Sequence, residues 1–331
     1  MTANRNLKRR VRARAAKTGE SYVTALRHVR PDVNLVRLAT AQVVVRDDPG
    51  DSSQLRQSGR DVRDLMRQVQ RAGARIIHFP EGATCSPHKR IVSGTGPAEI
   101  GPADWSRADW PVLQQELAAI ARLAGQLRLW TVLGSVHPLT PPHRPHNSMY
   151  VISDRGELVT RYDERLLSNT KLSFMYAPGS GRVTFEVDGL RLGCAMGIEV
   201  HFPEVFAEYE RLEVDGVLFS TTGPGQASGG AAAFATEAQA HAAANSLWVS
   251  FAISAQHSPD APAGTIAPDG RWTARCPAER HPAVAITDID NRPESIDIAV
   301  TKARPWRRLA RAQINDAHRV TDDRSDNRSA F

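Results

Sequence analysis

Residues 193–204 have the sequence Gly-Cys-Ala-Met-Gly-Ile-Glu-Val-His-Phe-Pro-Glu, and they join two segments of different character. The apolar segment 190–196 that leads into them predicts a buried strand. Pro203, near their end, is favoured in the first turn of a helix, which we predict over 204–212. This stretch therefore predicts a strand, a bend and a helix in immediate succession.

Strands and helices alternate along the rest of the chain. Up to residue 134 the order is strand, helix, strand, helix, strand, and further on turns such as Asp188-Gly189 predict hairpins. Mixed sheets with helices on both sides would result, so we predict an α/β fold, a four-layer α/β/β/α sandwich. Strands are predicted at 36–45, 75–79, 129–134, 146–152, 157–162, 183–187, 190–196, 216–221, 248–254 and 283–289, a last hairpin at 264–270, and helices at about 52–72, 109–126, 204–212 and 231–246.

Positive charge is concentrated at one end of the sequence. The chain has 331 residues and a net charge of +6. Residues 1–30 carry nine lysines and arginines against one acidic residue, Glu20, so the remaining 301 residues have a net charge of −2. We therefore predict a basic helical extension over 1–34 with a break at Thr18-Gly19, a main domain over 35–297, and a polar tail over 298–331.

Several classes of protein are disfavoured by composition. The sequence contains no run of 18 apolar residues, which argues against a membrane-spanning helix. Its first 30 residues lack an apolar core segment, which argues against a secretory signal. Only three cysteines occur, Cys85, Cys194 and Cys276, too few and too widely spaced for a disulfide framework or a zinc site. We therefore expect a cytoplasmic protein.

Three motifs, in this order, are similar to those of the nitrilase superfamily of carbon–nitrogen hydrolases. Phe79-Pro-Glu-Gly82 follows a predicted strand and resembles the glutamate motif. The segment 161–167, followed by Tyr176-Ala-Pro-Gly179, resembles the lysine motif, and 193–204 resembles the cysteine motif. The resemblance extends from about Val36 to Ile289. It implies the superfamily's sandwich fold, homo-oligomers, no metal or organic cofactor, and hydrolysis of a nitrile or amide.

The resemblance also implies three catalytic positions. In the superfamily a cysteine attacks the substrate carbon, a glutamate acts as general base and a lysine stabilises the oxyanion. These positions correspond to Gly197, Glu81 and Glu164, so only the glutamate is kept. Glycine adopts the strained backbone expected at such a bend with little penalty. Rescue by another thiol is disfavoured, because Cys194 lies three residues upstream on the strand and faces the opposite side of the sheet.

Three further residues are assigned to the pocket by the same resemblance. Lys171 stands where many relatives have a second glutamate, so Glu164 and Lys171 resemble the family's lysine and glutamate with their charges exchanged. We hypothesise a buried Glu164–Lys171 ion pair, the alternative being two independent substitutions in a surface loop. Glu199 and His201 flank the bend, and His201 is expected to bond backbone there. The loop from His137 to Asn147 is expected to shape specificity.

Three functions remain open at this level. The leading one is a pseudoenzyme that has lost thiol-based hydrolysis and binds a small amide, amine or carboxylate ligand. The second is an amidase-like hydrolase of amide, nitrile or N-carbamoyl bonds that uses Glu81, Glu164 and Lys171 in a modified mechanism. The third is a scaffold or regulatory subunit whose residues 1–30 bind nucleic acid or an acidic partner.

Overall fold

The computed structural model describes residues 2–19, 21–22, 25, 35–224, 230–290 and 302–322. The chain divides into two compact units. The smaller unit comprises Met1–Asp32 and Arg292–Phe331, and the larger comprises Val33–Asn291. Of the helices in the described ranges, none is long and apolar enough to span a bilayer.

The larger unit contains two mixed sheets of six strands each. Its strands are β1 (Leu35–Gln42), β2 (Ile76–His78), β3 (Trp130–His137), β4 (His146–Ile152), β5 (Leu158–Asp163), β6 (Thr184–Val187), β7 (Leu190–Met196), β8 (Gly216–Thr221), β9 (Trp248–Ile253), β10 (Gly264–Ile266), β11 (Trp272–Arg275) and β12 (Ala283–Asp290). The first sheet has the order β12-β1-β2-β3-β4-β5 and the second β11-β10-β9-β8-β7-β6. β1–β2–β3 and β7–β8–β9 pair in parallel, and the predicted hairpins β4–β5 and β6–β7 are present.

The helices have the bounds α1 (Thr2–Thr18), α2 (Ser52–Arg71), α3 (Trp110–Leu127), α4 (Pro203–Arg211), α5 (Gly230–Asn245) and α6 (Arg304–Arg311). Helix α2 begins where the Asp51 carboxylate accepts hydrogen bonds from the backbone N–H groups of Ser53 and Gln54. Asp109 caps α3 in the same way through the N–H of Val112. Local capping and the apolar spacing predicted from the sequence therefore agree on where these helices begin.

Three apolar layers hold the larger unit together. Helices α2 and α3 pack on the outer face of the first sheet through residues such as Val62, Met66 and Ile120. Helices α4 and α5 pack on the outer face of the second sheet, for example through Phe206. The inner faces of the two sheets meet in a third layer, which includes Cys194. The predicted α/β/β/α sandwich is confirmed.

A buried polar network also joins the two sheets. The His78 ring lies with Nδ1 2.8 Å from Ser250 Oγ and Nε2 2.8 Å from Ser220 Oγ. Burial lowers the pKa of His78 to about 3, so the ring is neutral and bridges two hydroxyls. Ser220 Oγ in turn donates to the carbonyl of Phe79 at 3.0 Å. The network thus fixes the chain immediately before Glu81.

The smaller unit contains the two basic helices α1 and α6, which contact each other. Helix α1 ends at Thr18, and Gly19 follows with φ of +71°, which confirms the predicted break. Of the predicted extension after the break, only residues 21–22 and 25 are described, and the rest up to residue 34 lies outside the described residues. Where the sequence predicts only a polar tail, residues 304–311 form α6 and residues 314–318 a 3-10 turn.

Candidate active site

The candidate site lies where strands of both sheets end. Glu81 follows β2, and Glu164 directly follows β5 in the first sheet. Gly197 directly follows β7, and Thr222 follows β8 in the second sheet. Lys171 begins a short, wide helical turn that extends to residue 175. Loops after strands are the usual place for ligand-binding groups in α/β proteins.

Glu81, Glu164 and Lys171 form one cluster. The Lys171 ammonium donates to Glu81 Oε1 at 2.6 Å and to Glu164 Oε2 at 2.7 Å and Oε1 at 3.0 Å. The Glu164 side chain is fully buried, whereas 6% of the Glu81 side chain and 19% of the Lys171 side chain are exposed. The predicted Glu164–Lys171 ion pair is confirmed, and it includes Glu81 as a second carboxylate.

Two further groups complete the cluster. Asn147 Nδ2, on β4, donates to Glu81 Oε1 at 2.8 Å and to Glu164 Oε2 at 2.5 Å. The backbone N–H of Thr222 donates to Glu81 Oε2 at 3.1 Å. The sequence interpretation missed both residues as members of the cluster. The available signal for Asn147 was an amide in the polar first half of a strand whose second half is apolar, and a backbone donor such as Thr222 leaves no such signal.

Burial and the neighbouring charges shift the pKa values of Glu164 and Lys171. Burial raises the pKa of Glu164 to about 7, Lys171 opposes that rise, and Glu81 adds to it. Burial acts to lower the pKa of Lys171, but Glu164 and Glu81 outweigh it and raise that pKa above its ordinary value. With all three groups ionised the cluster carries a net charge of −1, which hydrogen bonds from Asn147 and Thr222 help to stabilise.

Gly197 adopts a left-handed backbone conformation, with φ of +54°. A Cβ atom at this position would overlap Glu164 Oε1 and lie 3.0 Å from Lys171 Nζ. The absence of a side chain at residue 197 therefore serves two purposes. It lets the backbone adopt a positive φ with little strain, and it leaves the adjoining space to the carboxylate of Glu164.

Glu199 lies beneath the bend and has no hydrogen bond to the cluster. Its carboxylate accepts hydrogen bonds from the N–H groups of Met196 at 2.8 Å, Arg165 at 2.8 Å and Leu166 at 3.2 Å, and from Tyr162 Oη at 2.6 Å. Burial raises its pKa. Glu199 thus ties the bend after β7 to the segment after β5, which places Gly197 beside Glu164.

His201 does not join the cluster, and the expectation that it bonds backbone at the bend is wrong. Its Nδ1 lies 2.6 Å from Glu237 Oε2, and 39% of the side chain is exposed. The reason is that the helical turn after β7 buries Glu199 and Val200 and leaves His201 on its outer side. His241 supplies the backbone contact instead, with Nε2 2.7 Å from the Val200 carbonyl oxygen.

All three cysteines are buried. Cys194 lies in the layer between the sheets, Cys85 packs with Leu55 and Val112, and Cys276 faces the carbonyl of Thr40. Burial raises the pKa of Cys276 to about 12 and that of the other two thiols well above the usual range. Within the described ranges no group of three or more histidine, cysteine, aspartate or glutamate side chains is arranged to hold a metal ion.

Comparison with known proteins places this fold and site in a family. The model of the family described as "Carbon-nitrogen hydrolase" matches residues 38–296, which is more than half of the chain. This chain belongs to the carbon–nitrogen hydrolase family. None of the curated proteins compared with it matches its sequence.

Solved structures of one amidase share the fold. A cysteine-to-alanine variant of the Nesterenkonia AN1 amidase, from the nitrilase superfamily, aligns with a TM-score of 0.60 and 16% identity over 77% of this chain and 91% of that one. A complex of the same amidase with butyramide aligns with a TM-score of 0.58 and 17% identity over 77% and 90%. A glutamate-to-glutamine variant, with the acetamide moiety of fluoroacetamide added at its active-site cysteine, gives 0.59 and 15% over 81% and 96%. At this identity the likeness shows the fold.

Proposed function

We propose that this protein is a member of the carbon–nitrogen hydrolase family without thiol-based hydrolysis, and that the cluster of Glu81, Glu164 and Lys171 binds a small ligand. One observation carries the proposal. At residue 197, the position that the motifs assign to the nucleophile, there is no side chain, and the Glu164 carboxylate occupies the adjoining space.

The remaining groups are engaged in ways that do not suit acyl transfer to sulfur. No thiol group lies among the hydrogen-bonding partners given above for Glu81, and the three cysteines are buried with raised pKa values. The Lys171 ammonium donates to carboxylate oxygens of Glu81 and Glu164 and would have to leave them to stabilise an oxyanion. Removing a nucleophile or an oxyanion donor costs orders of magnitude in rate, so turnover by the family's route is not expected.

The charge of the cluster favours one kind of ligand among those considered. With both glutamates ionised, its net charge of −1 attracts an ammonium group and tolerates an amide, whose N–H can donate to Glu81. A carboxylate ligand would be repelled by both glutamates. Lys171 has the most exposed side chain of the three, so the buried cluster contacts solvent mainly at Lys171. We therefore propose an amine or an amide rather than a carboxylate.

A thermal-shift series with butylamine, butyramide and butyrate tests the ligand class, because the three compounds have the same chain length and differ in the end group. Butylamine or butyramide should raise the unfolding temperature, because binding to the folded state stabilises it, and butyrate should not. The Glu81→Gln variant should lose the effect of butylamine. A larger shift with butyrate would contradict the proposal.

Covalent chemistry is tested with fluoroacetamide followed by intact-mass measurement, with an active cysteine-dependent amidase treated in parallel. The amidase should gain the mass of the adduct and this protein should not. Amides, nitriles and N-carbamoyl compounds should likewise be left intact. An acyl adduct on any side chain, or turnover that Glu81→Gln abolishes, would overturn the proposal.

Restoring the three exchanged groups gives the complementary test. The triple variant Gly197→Cys, Glu164→Lys, Lys171→Glu should regain measurable amide hydrolysis, because it supplies a thiol and returns the charges to the family's order. The matched control is the double variant Glu164→Lys, Lys171→Glu, which keeps Gly197 and should be inactive. Activity in the double variant would contradict the role assigned to residue 197.

A second candidate function, hydrolysis by water that Glu164 activates, is favoured by one observation. Burial brings the pKa of Glu164 to about 7, which suits a general base near neutral pH. In this case turnover should rise with pH through about 7 and disappear in Glu164→Gln. Hydrolysis with this pH dependence in the unmodified protein would favour the second candidate over the first.

A further inference from the structure

The smaller unit carries most of the protein's excess positive charge. Residues 1–32 and 292–331 contain 18 lysines and arginines against eight aspartates and glutamates, a net charge of +10, and the rest of the chain has −4. The charge difference between the two units is larger than that between residues 1–30 and the rest of the chain, because the structure groups the C-terminal segment with the N-terminal one. Of the 18 cations, 15 are arginines.

Helix α1 exposes cations and hides its apolar residue. Lys8, Arg9, Arg10, Arg12 and Lys17 are exposed, whereas Val11 is fully buried. From residue 8 to the end of the helix, alanines are the only apolar residues with exposed side chains. This surface suits a polyanion in water, because a helix that binds a bilayer also presents large apolar groups.

Helix α6 adds an exposed aromatic ring beside α1. Trp306 is 58% exposed and is followed by Arg307 and Arg308. The two helices are adjacent, since a Cβ atom at Gly19 would lie 3.3 Å from Leu309 Cδ2. An exposed ring next to many arginines combines a flat stacking surface with forked donors that match phosphate oxygens.

We propose that this unit binds single-stranded nucleic acid. The cations of α1 contact the phosphate backbone, and Trp306 stacks on a base. Arginine is favoured over lysine at phosphates because its planar guanidinium donates two parallel hydrogen bonds. The exposed tryptophan favours single strands, whose bases are free to stack, over a duplex or an acidic protein. This function is independent of the chemistry proposed for the pocket.

The test is fluorescence anisotropy of the full-length protein with a labelled single-stranded oligonucleotide of mixed sequence, over a series of salt concentrations. Binding should weaken as salt rises, with a slope of log K on log salt of roughly −0.7 for each phosphate contacted. In the triple variant Lys8→Gln, Arg9→Gln, Arg12→Gln the slope should shrink by about 2, because three contacts are lost. Glutamine keeps the helix, and circular dichroism verifies this.

Two matched variants separate the proposal from general electrostatics. The triple variant Arg56→Gln, Arg60→Gln, Arg71→Gln removes the same charge from the exposed face of α2, in the larger unit, and should bind as tightly as the unmodified protein. Trp306→Ala should weaken binding by roughly fivefold or more, the effect of losing one base stack, while Trp306→Tyr should keep most of the affinity.

Four outcomes would overturn the proposal. Binding that is absent or does not respond to salt would exclude phosphate contacts. An equal loss in the α2 variant would show that only net charge matters. Tighter binding of phosphatidylserine vesicles would assign the surface to a membrane. Polyglutamate that competes as well as unlabelled oligonucleotide, with Trp306→Ala unchanged, would assign it to an acidic protein.

Discussion

The carboxylate of Glu164 occupies the space that a side chain at residue 197 would need, and Gly197 leaves that space open. The two positions are 33 residues apart in the sequence and follow strands of different sheets. Glu199 holds the two segments together by accepting hydrogen bonds from the N–H groups of Met196 and Arg165. The absence of a side chain at one position and the presence of a buried acid at the other are thus parts of one arrangement.

Replacing Gly197 by alanine should destabilise the protein through backbone strain and overlap with Glu164. The positive φ alone should cost about 1–2 kcal/mol, and the overlap should add a further 1–3 kcal/mol. The control is Gly96→Ala, at a φ of +95° with nothing within 4 Å of the added carbon, which has strain without overlap. In the Glu164→Ala background, the additional destabilisation by Gly197→Ala over that by Gly96→Ala should disappear. Urea unfolding measures both values. An equal cost for the two glycines would show that the space beside residue 197 is empty.

The buried ion pair should show strong coupling in a double-mutant cycle. Lys171→Met leaves the carboxylates of Glu81 and Glu164 without their cation, at a cost of about 3–5 kcal/mol, whereas Glu164→Gln leaves Lys171 paired with Glu81 and should cost less. The double variant should cost less than their sum by at least about 1 kcal/mol. The exposed pair Asp64–Arg67 is the control, and its coupling should be about 0.3–0.5 kcal/mol. Additive effects at Glu164 and Lys171 would contradict the pairing.

Two buried groups should give the stability opposite dependences on pH. The raised pKa of Glu164 means that the folded state binds a proton more tightly, so stability is lost as pH rises from about 4.5 to 7. The lowered pKa of His78 means the reverse, so stability is lost as pH falls from 6.5 towards about 3. Between about 4.5 and 6.5 the two contributions oppose each other.

Single variants separate these contributions. Unlike the unmodified protein, Glu164→Gln should not lose folding stability through this group as pH rises, and His78→Gln should not lose it as pH falls. The difference in the free energy of unfolding between each variant and the unmodified protein should change by at most about 1.4 kcal/mol per pH unit. The measurement is the free energy of unfolding in urea at a series of pH values. A stability difference between Glu164→Gln and the unmodified protein that is constant from pH 4.5 to 7 would refute the assignment for Glu164.

Glu199 should be required for folding stability. Glu199→Ala leaves the N–H groups of Met196, Arg165 and Leu166 without their buried acceptor, at a cost of about 1–3 kcal/mol for each group left unsatisfied. Glu204→Ala, on the exposed first turn of α4, should change stability by less than about 0.5 kcal/mol. If both variants unfold at the same urea concentration, Glu199 does not hold the bend.

The thiols should be unreactive in the folded protein. Cys85, Cys194 and Cys276 are buried and their pKa values are raised, so the thiolate form that reacts is scarce. Iodoacetamide at pH 8 should label none of them in native protein and all three in concentrated guanidinium chloride, as measured by intact mass. Rapid labelling of one cysteine under native conditions would reopen a thiol mechanism.

Local sequence patterns predicted much of the fold. The predicted helices at about 52–72 and 109–126 match α2 and α3 to within one residue at each end, and the Asp188-Gly189 turn predicted the hairpin β6–β7. The order and spacing of three motifs predicted the family, and the exchanged charges predicted the Glu164–Lys171 pair. These features depend on neighbours along the chain or on a shared pattern.

Packing across the sandwich decided the rest. Asn147 meets Glu81 across 66 residues of sequence and Glu164 across 17, and Thr222 meets Glu81 across 141. Whether His201 points into the site or outward depends on the turn of the helix after β7, which the residue types do not specify. The two basic ends of the chain likewise belong to one compact unit only in the folded structure. Sequence by itself determined which groups are present, because periodicity and residue type act locally. Only the tertiary structure decided which of them share a space, because contacts between distant segments depend on how the sheets and helices pack.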